Sequence, residues 1–538
     1  MKNNLAPILA LIIPGTIAIW GILDTNGLLL FASQLVNLLF QSRGWFIMLT
    51  VSILAIVCLF LAFSPHGRIK LGQDDEEPEF SKISWLTMLF AAGMGVGLLY
   101  WGSAEPISHY LIISQVHPAS ESALMALFIT NFHWGIHAWS IYAIMGLVIA
   151  YFSFRKNTQM LVSAPILKVF GRHLWTRLVG SLSDLCAIVA IAIGVSGSIA
   201  MGVFQVQGGI EYLLNFKSTD FTLALSILAV LFIAYMLPLM VDLGRGMAMI
   251  SNTNMLVATL LMLFVLLAGP THYLMSAIVE TFGKYTVGFL PHGFRTFTFL
   301  DWQGQAWFQS WTLTYMVWWF AWAPFVGVFI ARISRGRTIR EFILYVIFVP
   351  TLFSMSWFGV FGGIAFFEVL NDNTLLLDVV KTNVNSTVFA VLDTLPMGWL
   401  TSSLTILIAF LFIVTSVVSA AYVLSMLSTG GGLEPRIKIK LIWGVILGAL
   451  GVVMILSGSI EAVRAIMMIE VVGKSTSQVI KTMRGIPELI KLHTTNGAWD
   501  LVAELQAANL SEFDGVLRQV REIDGILNSE TSILLSST

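Results

Sequence analysis

The chain has 538 residues, of which 57% are hydrophobic and only 11% are charged, and its mean hydropathy is +0.85. A soluble domain carries about 25% charged residues, so this composition excludes an ordinary soluble protein. The net charge of −1 argues against a nucleic-acid partner. The two cysteines, Cys58 and Cys186, lie in apolar runs and make neither a disulfide framework nor a metal motif.

Long apolar runs predict membrane-spanning helices along most of the chain, because a span needs about 20 apolar residues to cross the bilayer core. These runs cover residues 6–24, 44–63, 84–104, 122–151, 178–204, 221–241, 254–280, 309–331, 340–366, 400–427 and 439–458. The first run lacks a small-residue cleavage site, so we interpret it as a helix rather than a signal peptide. A twelfth segment beginning near residue 460 contains Glu461, Arg464 and Glu470, and it predicts a short, tilted or interfacial helix.

The distribution of lysine and arginine predicts how these spans are oriented. Sixteen such residues fall in loops on one side, including Arg155, Arg332 and Arg335, and five fall in the opposite loops. Cytoplasmic loops carry the excess of positive charge. The pattern therefore predicts a multi-pass membrane protein with both termini in the cytoplasm, and we expect the membrane to be the bacterial inner membrane.

The third span contains alternating glycines, Gly93, Gly95 and Gly97, and the eighth contains Pro324. Each glycine weakens a helix by about 1 kcal/mol, and proline removes a backbone donor. Unwound backbone at membrane depth is tolerated where it lines a cavity, and paired broken helices indicate a transporter site. The alternative is that the glycines only allow close helix packing.

Two aromatic clusters fall within the spans. One contains Trp318, Trp319 and Trp322, and the other contains Trp134, Trp139 and Tyr142. On a continuous helix, at about 100° per residue, Trp139 and Tyr142 would be close neighbours with Trp134 adjacent. Ring faces attract cations, and aromatic cages hold quaternary ammonium groups. The sequence thus indicates a cation-binding site, with aromatic core packing as the alternative.

Further polar residues suggest ion sites. The hydroxyls of Thr415 and Ser416 in the tenth span could contribute oxygens to a Na⁺ site, although such residues also bond their own helix backbone. His133 and His137 could relay protons or simply join helices. Glu105, which precedes Pro106, is expected to end the third span at the outer rim. No nucleophile, carboxylate pair or metal cluster is predicted at mid-membrane, so the chain is not expected to be an enzyme.

Four segments resemble the betaine/carnitine/choline transporter family, and the resemblance extends over about residues 5 to 460. The segments are GMGVGLLYWGSAEP (93–106), FHWGIHAWSIY (132–142), LGRGMAMISNTNM (243–255) and WTLTYMVWWFAWAPFVGVFIARISRGRTIREF (311–342). The resemblance implies an all-α polytopic membrane protein of about twelve transmembrane helices. It also implies that the last ten form two LeuT-like inverted five-helix repeats, and that the chain assembles as a homotrimer in the lipid bilayer.

The resemblance also implies roles for individual residues. The substrate box would comprise Trp134, Trp139, Tyr142 and Trp319, with Trp322 at the inner gate. A sodium site would use the carbonyls of Ala91, Met94 and Phe412 and the hydroxyls of Thr415 and Ser416. A second family sodium site would be lost, because the corresponding positions are Ile191 and Val195.

These observations predict four segments. They are an N-terminal two-helix segment (1–81), a first five-helix repeat (82–284), a second repeat (285–482) and a cytoplasmic amphipathic tail (483–538). Helical spacing of apolar residues, among them Leu501, Leu505, Leu510 and Leu517, predicts one or two amphipathic helices in that acidic tail.

The predicted function is secondary active transport of a betaine-like quaternary ammonium solute such as glycine betaine, choline or carnitine. We expect no cofactor beyond Na⁺ as a coupling ion, and symport through a single sodium site. The alternatives are sodium-independent antiport, proton-coupled symport, and a solute-binding sensor derived from a transporter that signals through its tail.

Overall fold

The computed structural model describes residues 5–93, 95–218, 220–240, 244–300, 302–371, 373–458, 463–472, 475–486, 489–495, 499–507 and 510–534. They belong to two compact units. The first, which we call the membrane unit, comprises Met1–Thr296 and Tyr315–Leu456. The second, the C-terminal unit, comprises Phe297–Thr314 and Ser457–Thr538.

The described part of the membrane unit is helical, apart from turns and one isolated β-bridge between Lys70 and Thr338. Its helices are α1 (Leu5–Leu23), α2 (Thr25–Phe63), α3 (Lys82–Gly93), α4 (Gly97–Ile113), α5 (Ala119–Trp134), α6 (Ile136–Ala150), α7 (Ser163–Phe170), α8 (Leu174–Leu214), α9 (Thr222–Leu239), α10 (Gly244–Ala268), α11 (Thr271–His292), α13 (Thr314–Ile333), α14 (Ile339–Leu370), α15 (Leu375–Thr382), α16 (Thr387–Asp393), α17 (Gly398–Ser428) and α18 (Ile437–Leu456). The remaining helix before Thr314, α12 (Trp302–Phe308), belongs to the C-terminal unit.

Among the described residues, eight helices are long and apolar enough to cross a membrane, or nine if one bent pair counts as a span. Large apolar side chains such as Leu38, Phe60 and Phe63 of α2 are more than half exposed, as expected of a surface that faces lipid. The predicted class, an all-α polytopic membrane protein, is therefore confirmed for this unit. The inverted repeats and the homotrimer stay predictions.

The seventh and eighth predicted spans differ from the structure in shape. The seventh is not one straight helix, because α10 and α11 meet at an angle of 115°. The break falls at Gly269 and Pro270, where glycine weakens the helix and proline removes a donor. The eighth is not interrupted at Pro324, since α13 continues through it; the irregular turn is instead a π-helical segment, Gln309–Leu313.

An acidic loop between α2 and α3 is joined to the basic loops of the membrane unit. Each of four acidic side chains in residues 74–79 pairs with a basic partner: Asp74 with Arg155, Glu76 with Arg335, Glu77 with Lys70, and Glu79 with Arg332. Arg155 beside Asp74 holds the pKa of that exposed carboxyl below its usual range. The basic residues that predicted orientation thus also fasten one loop to its neighbours.

The C-terminal unit corrects the prediction of a twelfth membrane helix followed by a helical tail. It contains the strands β1 (Val463–Val471), β2 (Leu489–Thr494), β3 (Leu501–Ala507) and β4 (Ile526–Leu534) and the helices α19 (Thr476–Met483) and α20 (Leu510–Arg521). The strands form one antiparallel sheet in the order β2-β3-β1-β4. The boundary between the units therefore falls after Leu456, and not at residue 482.

The period of the buried residues explains this difference. Among the side chains of β1 whose burial the structure describes, residues 467–471, the buried ones are Met467, Ile469 and Val471, which alternate as in a strand packed on one face. The spacing of four between Leu501 and Leu505 predicts a helix, but both residues lie in β3. Every second residue of that strand from Leu501 to Leu505 is buried. A spacing of four fits both periods, so the sequence pattern alone misassigned them.

Candidate functional site

The alternating glycines break the third span, as predicted. Helix α3 ends at Gly93 and α4 begins at Gly97, with Gly95 between them at φ +48°, a left-handed conformation that favours glycine. A Cβ atom on Gly93 would lie 2.3 Å from the Trp139 ring, and one on Gly97 would lie 2.8 Å from the Trp134 ring. Both readings of the motif therefore hold, because one glycine unwinds the backbone and the other two admit tryptophans.

A second break separates the two halves of the aromatic motif in the fourth span. Gly135 ends α5 with φ −100° and ψ −143°, and α6 starts at the next residue. The Ile136 amide donates to the Tyr285 hydroxyl at 2.8 Å, and a Cβ on Gly135 would overlap that hydroxyl oxygen at 2.2 Å. The break places Trp134 and Trp139 on different helices, so the prediction of a continuous helix was wrong for this pair. Trp139 and Tyr142, both on α6, are close neighbours as predicted, with ring centroids 5.5 Å apart.

Four tryptophans line a small cavity of about 20 Å³ beside the broken third span: Trp134, Trp318, Trp319 and Trp322. The rings of Trp318 and Trp319 are stacked, with centroids 5.2 Å apart and an interplanar angle of 6°. Trp134 meets both edge-on, at 6.1 Å and 5.0 Å. Such a volume holds about one water molecule, so these rings must separate to admit a trimethylammonium group.

Trp139 and Tyr142 are placed outside the lining of this cavity. The Tyr142 ring lies 5.9 Å from that of Trp319 and 5.5 Å from that of Trp139, in both cases nearly perpendicular. The Tyr142 hydroxyl is buried without a hydrogen-bond partner in the described part of the chain, and so is the indole N–H of Trp322. These donors are available to an anionic group, such as the carboxylate of a zwitterion.

Glu105 is the functional candidate that the sequence analysis placed wrongly. It does not end a helix at the outer rim, because α4 continues through Pro106 to Ile113 and Glu105 is completely buried. Its Oε2 accepts hydrogen bonds from Trp134 Nε1 at 2.8 Å and from the Tyr315 hydroxyl at 2.5 Å. An acidic residue within a membrane span indicates a functional site. Extending the third span past Pro106 would have placed Glu105 within it and revealed this signal.

The other oxygen of Glu105 contacts two histidines. Oε1 lies 2.7 Å from His133 Nδ1 and 3.3 Å from His109 Nε2. The His133 ring stacks on the Tyr315 ring at 4.7 Å, and its backbone carbonyl accepts from Trp319 Nε1 at 2.8 Å. The indole N–H groups of Trp134 and Trp319 are thus both held by this buried cluster, which fixes the orientation of two rings of the cavity.

The same three side chains have the donor chemistry of a metal site. One ligand atom each of Glu105, His109 and His133 lies within 4.8 Å of the others, and imidazole with carboxylate suits a first-row transition metal. In the structure these atoms contact one another and the Glu105 carboxylate also accepts from Trp134. The arrangement therefore supports a positioning role. His137 is separate from it, and neither ring nitrogen has a partner among the described residues.

Three of the five predicted sodium ligands lie on α17. Thr415 Oγ1 donates to the Phe412 carbonyl at 3.0 Å, while the buried Ser416 hydroxyl lines the aromatic cavity without a partner in the part that the structure describes. It lies 3.4 Å from the position of a Cβ on Gly95, so it is next to the unwound segment. Ala91 is in the last turn of α3, and Met94 lies outside the described residues.

The positions that would form a second sodium site are apolar in their surroundings as well as in their identity. Ile191 and Val195 are fully buried on α8, and Val195 lines the same cavity as Ser416. Aliphatic groups cannot coordinate a cation, and a buried unpaired ion is costly.

Comparison with known proteins agrees with this geometry. Residues 7–482 match the family model described as "BCCT, betaine/carnitine/choline family transporter". The chain belongs to the betaine/carnitine/choline transporter family. It is 38% identical to the glycine betaine transporter OpuD of Bacillus subtilis (strain 168) over 86% of this chain and 90% of that protein. It is 35% identical to an ectoine/hydroxyectoine transporter of Virgibacillus pantothenticus, covering 79% of this chain and 84% of that one.

Two further matches are to a solved structure and to a second family model. A crystal structure of MhsT in complex with L-phenylalanine matches 70% of this chain and 80% of MhsT with a TM-score of 0.39 and 12% identity. Residues 464–538 match the model of the Lrp/AsnC ligand binding domain, and they coincide with the four-stranded sheet of the C-terminal unit. This betaine/carnitine/choline family member therefore carries an α/β unit after its last membrane helix.

Proposed function

We propose that this protein is a secondary active transporter of a betaine-like quaternary ammonium solute. The observation that carries the proposal is the cavity lined by four tryptophans, in which no described lining residue is charged. A quaternary ammonium group has no N–H to donate, so ring faces are its natural partners. The relatives are named as transporters of glycine betaine and of ectoine and hydroxyectoine, and glycine betaine carries a quaternary ammonium group.

Uptake by proteoliposomes tests this function directly. Labelled glycine betaine, choline, carnitine and ectoine should be compared under an imposed sodium gradient, and at least one quaternary ammonium compound should accumulate. Trp319→Ala should raise its apparent KM at least about tenfold, because a desolvated ring contributes about 2 kcal/mol to cation binding. Trp45→Ala is the matched control, since Trp45 of α2 is 58% exposed. An unchanged KM in Trp319→Ala would refute the assignment of the cavity.

Coupling to one Na⁺ is part of the proposal. The unpartnered Ser416 hydroxyl next to Gly95, together with Thr415 and the Phe412 carbonyl, supplies oxygens of the kind a hard cation prefers. One Na⁺ moving down about 100 mV releases about 2.3 kcal/mol, and a tenfold gradient adds about 1.4 kcal/mol. A single ion could therefore sustain accumulation of several-hundredfold.

The sodium dependence of uptake measures the number of sites. We expect a Hill coefficient near one, and Thr415→Val combined with Ser416→Ala should strongly raise the sodium concentration required. Val195→Ala should leave it unchanged. A coefficient clearly above one would contradict the single site.

The competing mechanisms give different results in the same vesicles. Antiport predicts uptake only when the vesicles are preloaded with a related solute and no effect of sodium. Proton coupling predicts uptake into sodium-free vesicles under an imposed pH gradient, and it would direct attention to His133 and His137. A sensor would bind the solute without accumulating it.

We also propose that the C-terminal unit responds to a small-molecule ligand. Two features support this: its match to a ligand-binding domain over residues 464–538, and its own buried core, which includes Met467, Val479 and Leu505. Thermal-shift screening of the full chain with free amino acids and with glycine betaine tests the idea, with a variant truncated after Leu456 as the control. A ligand that shifts both proteins equally acts elsewhere and would contradict it.

A further inference from the structure

The membrane unit contains a second and much larger cavity, of about 560 Å³. It lies between the C-terminal end of α8 and the N-terminal end of α17. Its described lining comes from residues 211–217 and 383–402. The distribution of basic residues predicts that these loops lie on the side opposite the cytoplasm. Sites for small organic molecules have volumes of about 300–1,000 Å³, so a solute fits here without displacement of side chains.

The charged groups of this cavity favour a ligand that carries positive charge. Two carboxylates, Glu211 and Asp393, and one ammonium group, Lys217, line it. Asp393 Oδ2 accepts from the Tyr212 hydroxyl at 3.1 Å, and Glu211 Oε1 accepts from the Ser218 amide at 3.1 Å. An ionised carboxylate offers about four acceptor positions, so both retain capacity for a ligand.

Aromatic rings complete the lining: Tyr212, Phe216 and Trp399. Trp399 is 70% exposed and Phe216 is 45% exposed, so both rings can contact a molecule that enters. Tryptophan also occurs at membrane surfaces as an interfacial anchor, so the rings alone do not define a site. Together with two carboxylates they offer both faces and charge to an alkylated ammonium group.

The lining also includes a buried hydroxyl, although the cavity is open to the protein surface. Ser402 lines it, is only 1% exposed, and its Oγ has no hydrogen-bond partner among the residues that the structure describes. A buried hydroxyl without a partner costs free energy unless a ligand or water satisfies it. Its neighbour Ser403 has no such need, because its Oγ donates to the Trp399 carbonyl at 2.8 Å.

We propose that this cavity is a second binding site for an organic ammonium solute, distinct from the aromatic cavity. The cationic head lies between the carboxylates of Glu211 and Asp393 and the rings of Tyr212 and Trp399. A polar group on the same solute bonds the Ser402 hydroxyl, and the carboxylate of a zwitterion faces Lys217. A solute held here is concentrated on the outer side before it reaches the tryptophans.

Equilibrium dialysis of the full-length protein against labelled choline counts the sites. The unaltered chain should saturate near two molecules per chain, and Trp319→Ala should weaken binding at the aromatic cavity at least about tenfold while leaving the second site unchanged. Glu211→Gln combined with Asp393→Asn should weaken that second site about tenfold, since both amides keep their accepting oxygens but lose charge. High KCl should weaken it as well, because salt screens the charge of the exposed Asp393 carboxylate.

Ser402→Ala provides a test that leaves the charges intact. It should weaken choline binding at the second site without lowering the melting temperature, whereas the matched control Ser403→Ala should leave binding unchanged. Saturation at one molecule per chain, or unchanged second-site binding in either the Ser402 or the double carboxylate variant, would overturn the proposal. If Trp319→Ala has no effect while the double variant removes one molecule, the second site stands and the aromatic site is the one that fails.

Discussion

Replacing Glu105 should disturb both the stability of the membrane unit and the affinity for solute, because this carboxylate holds a ring of the aromatic cavity. Glu105→Ala leaves the N–H of Trp134 and the O–H of Tyr315 without their acceptor in a fully buried position. Each such group costs about 1–3 kcal/mol, so these two donors lower the free energy of unfolding by about 2–6 kcal/mol. The free energy of unfolding of a typical protein is about 5–15 kcal/mol, so this loss is a large part of it. We therefore expect a measurable decrease in the amount of folded protein.

Glu105→Gln separates the positioning role from the structural one. Its amide oxygen can still accept from Trp134 and Tyr315, while its NH₂ group can donate to His133 in the tautomer that leaves Nδ1 unprotonated. Bonds to a neutral oxygen are about half as strong as those to a carboxylate, so the Trp134 ring should be held less firmly. We therefore expect a folded protein with a raised KM and a maximal rate that changes less.

The assay is thermal unfolding in lipid nanodiscs together with solute uptake by proteoliposomes. Glu280→Gln is the control, since Glu280 is an exposed acid of α11. The melting temperature should fall in the order unaltered chain, Gln variant, Ala variant. The reasoning would be refuted by an Ala variant that melts like the unaltered protein, or by a Gln variant whose KM is unchanged.

Three further substitutions test the geometry of the membrane unit. Gly95→Leu should abolish uptake while insertion into the membrane persists, because φ of +48° strains any side chain there; normal transport would show that the unwound turn is dispensable. Gly97→Ala should reduce affinity, since its Cβ would lie 2.8 Å from the Trp134 ring, and an unchanged fluorescence titration would contradict that close approach. Arg332→Glu should lower the free energy of unfolding by at most about 1 kcal/mol, because its partner Glu79 is part-exposed. Glu79→Arg in the same chain should restore it. A double variant whose melting temperature is no higher than that of Arg332→Glu alone would disprove the pairing.

Several features of this protein follow from local sequence. Hydropathy alone identified most of the membrane helices, because the cost of an unsatisfied backbone in lipid favours a helix for a long apolar run. The break at Gly95 was predictable for a similar reason, since three alternating glycines weaken a helix whatever surrounds them. The two aromatic clusters in the sequence likewise predicted an aromatic cavity.

Other features depended on partners that are distant in the chain. The break at Gly135 is fixed by the Tyr285 hydroxyl, which accepts from the amide of Ile136 across 149 residues of sequence. Glu105 became a central residue only through Tyr315, which donates to it from 210 residues away. A local pattern reports the preference of a segment for lipid, helix or turn, but not which distant side chain will meet it.

The C-terminal unit shows the same limit in secondary structure. The apolar run before Val472 is equally consistent with a short membrane helix and a buried strand, because transfer free energy does not depend on the backbone conformation. Pairing with β3 and β4 on either side satisfies the backbone of β1 and selects the strand. Composition thus determined that this segment would be buried, and only the tertiary contacts decided whether protein or lipid would bury it.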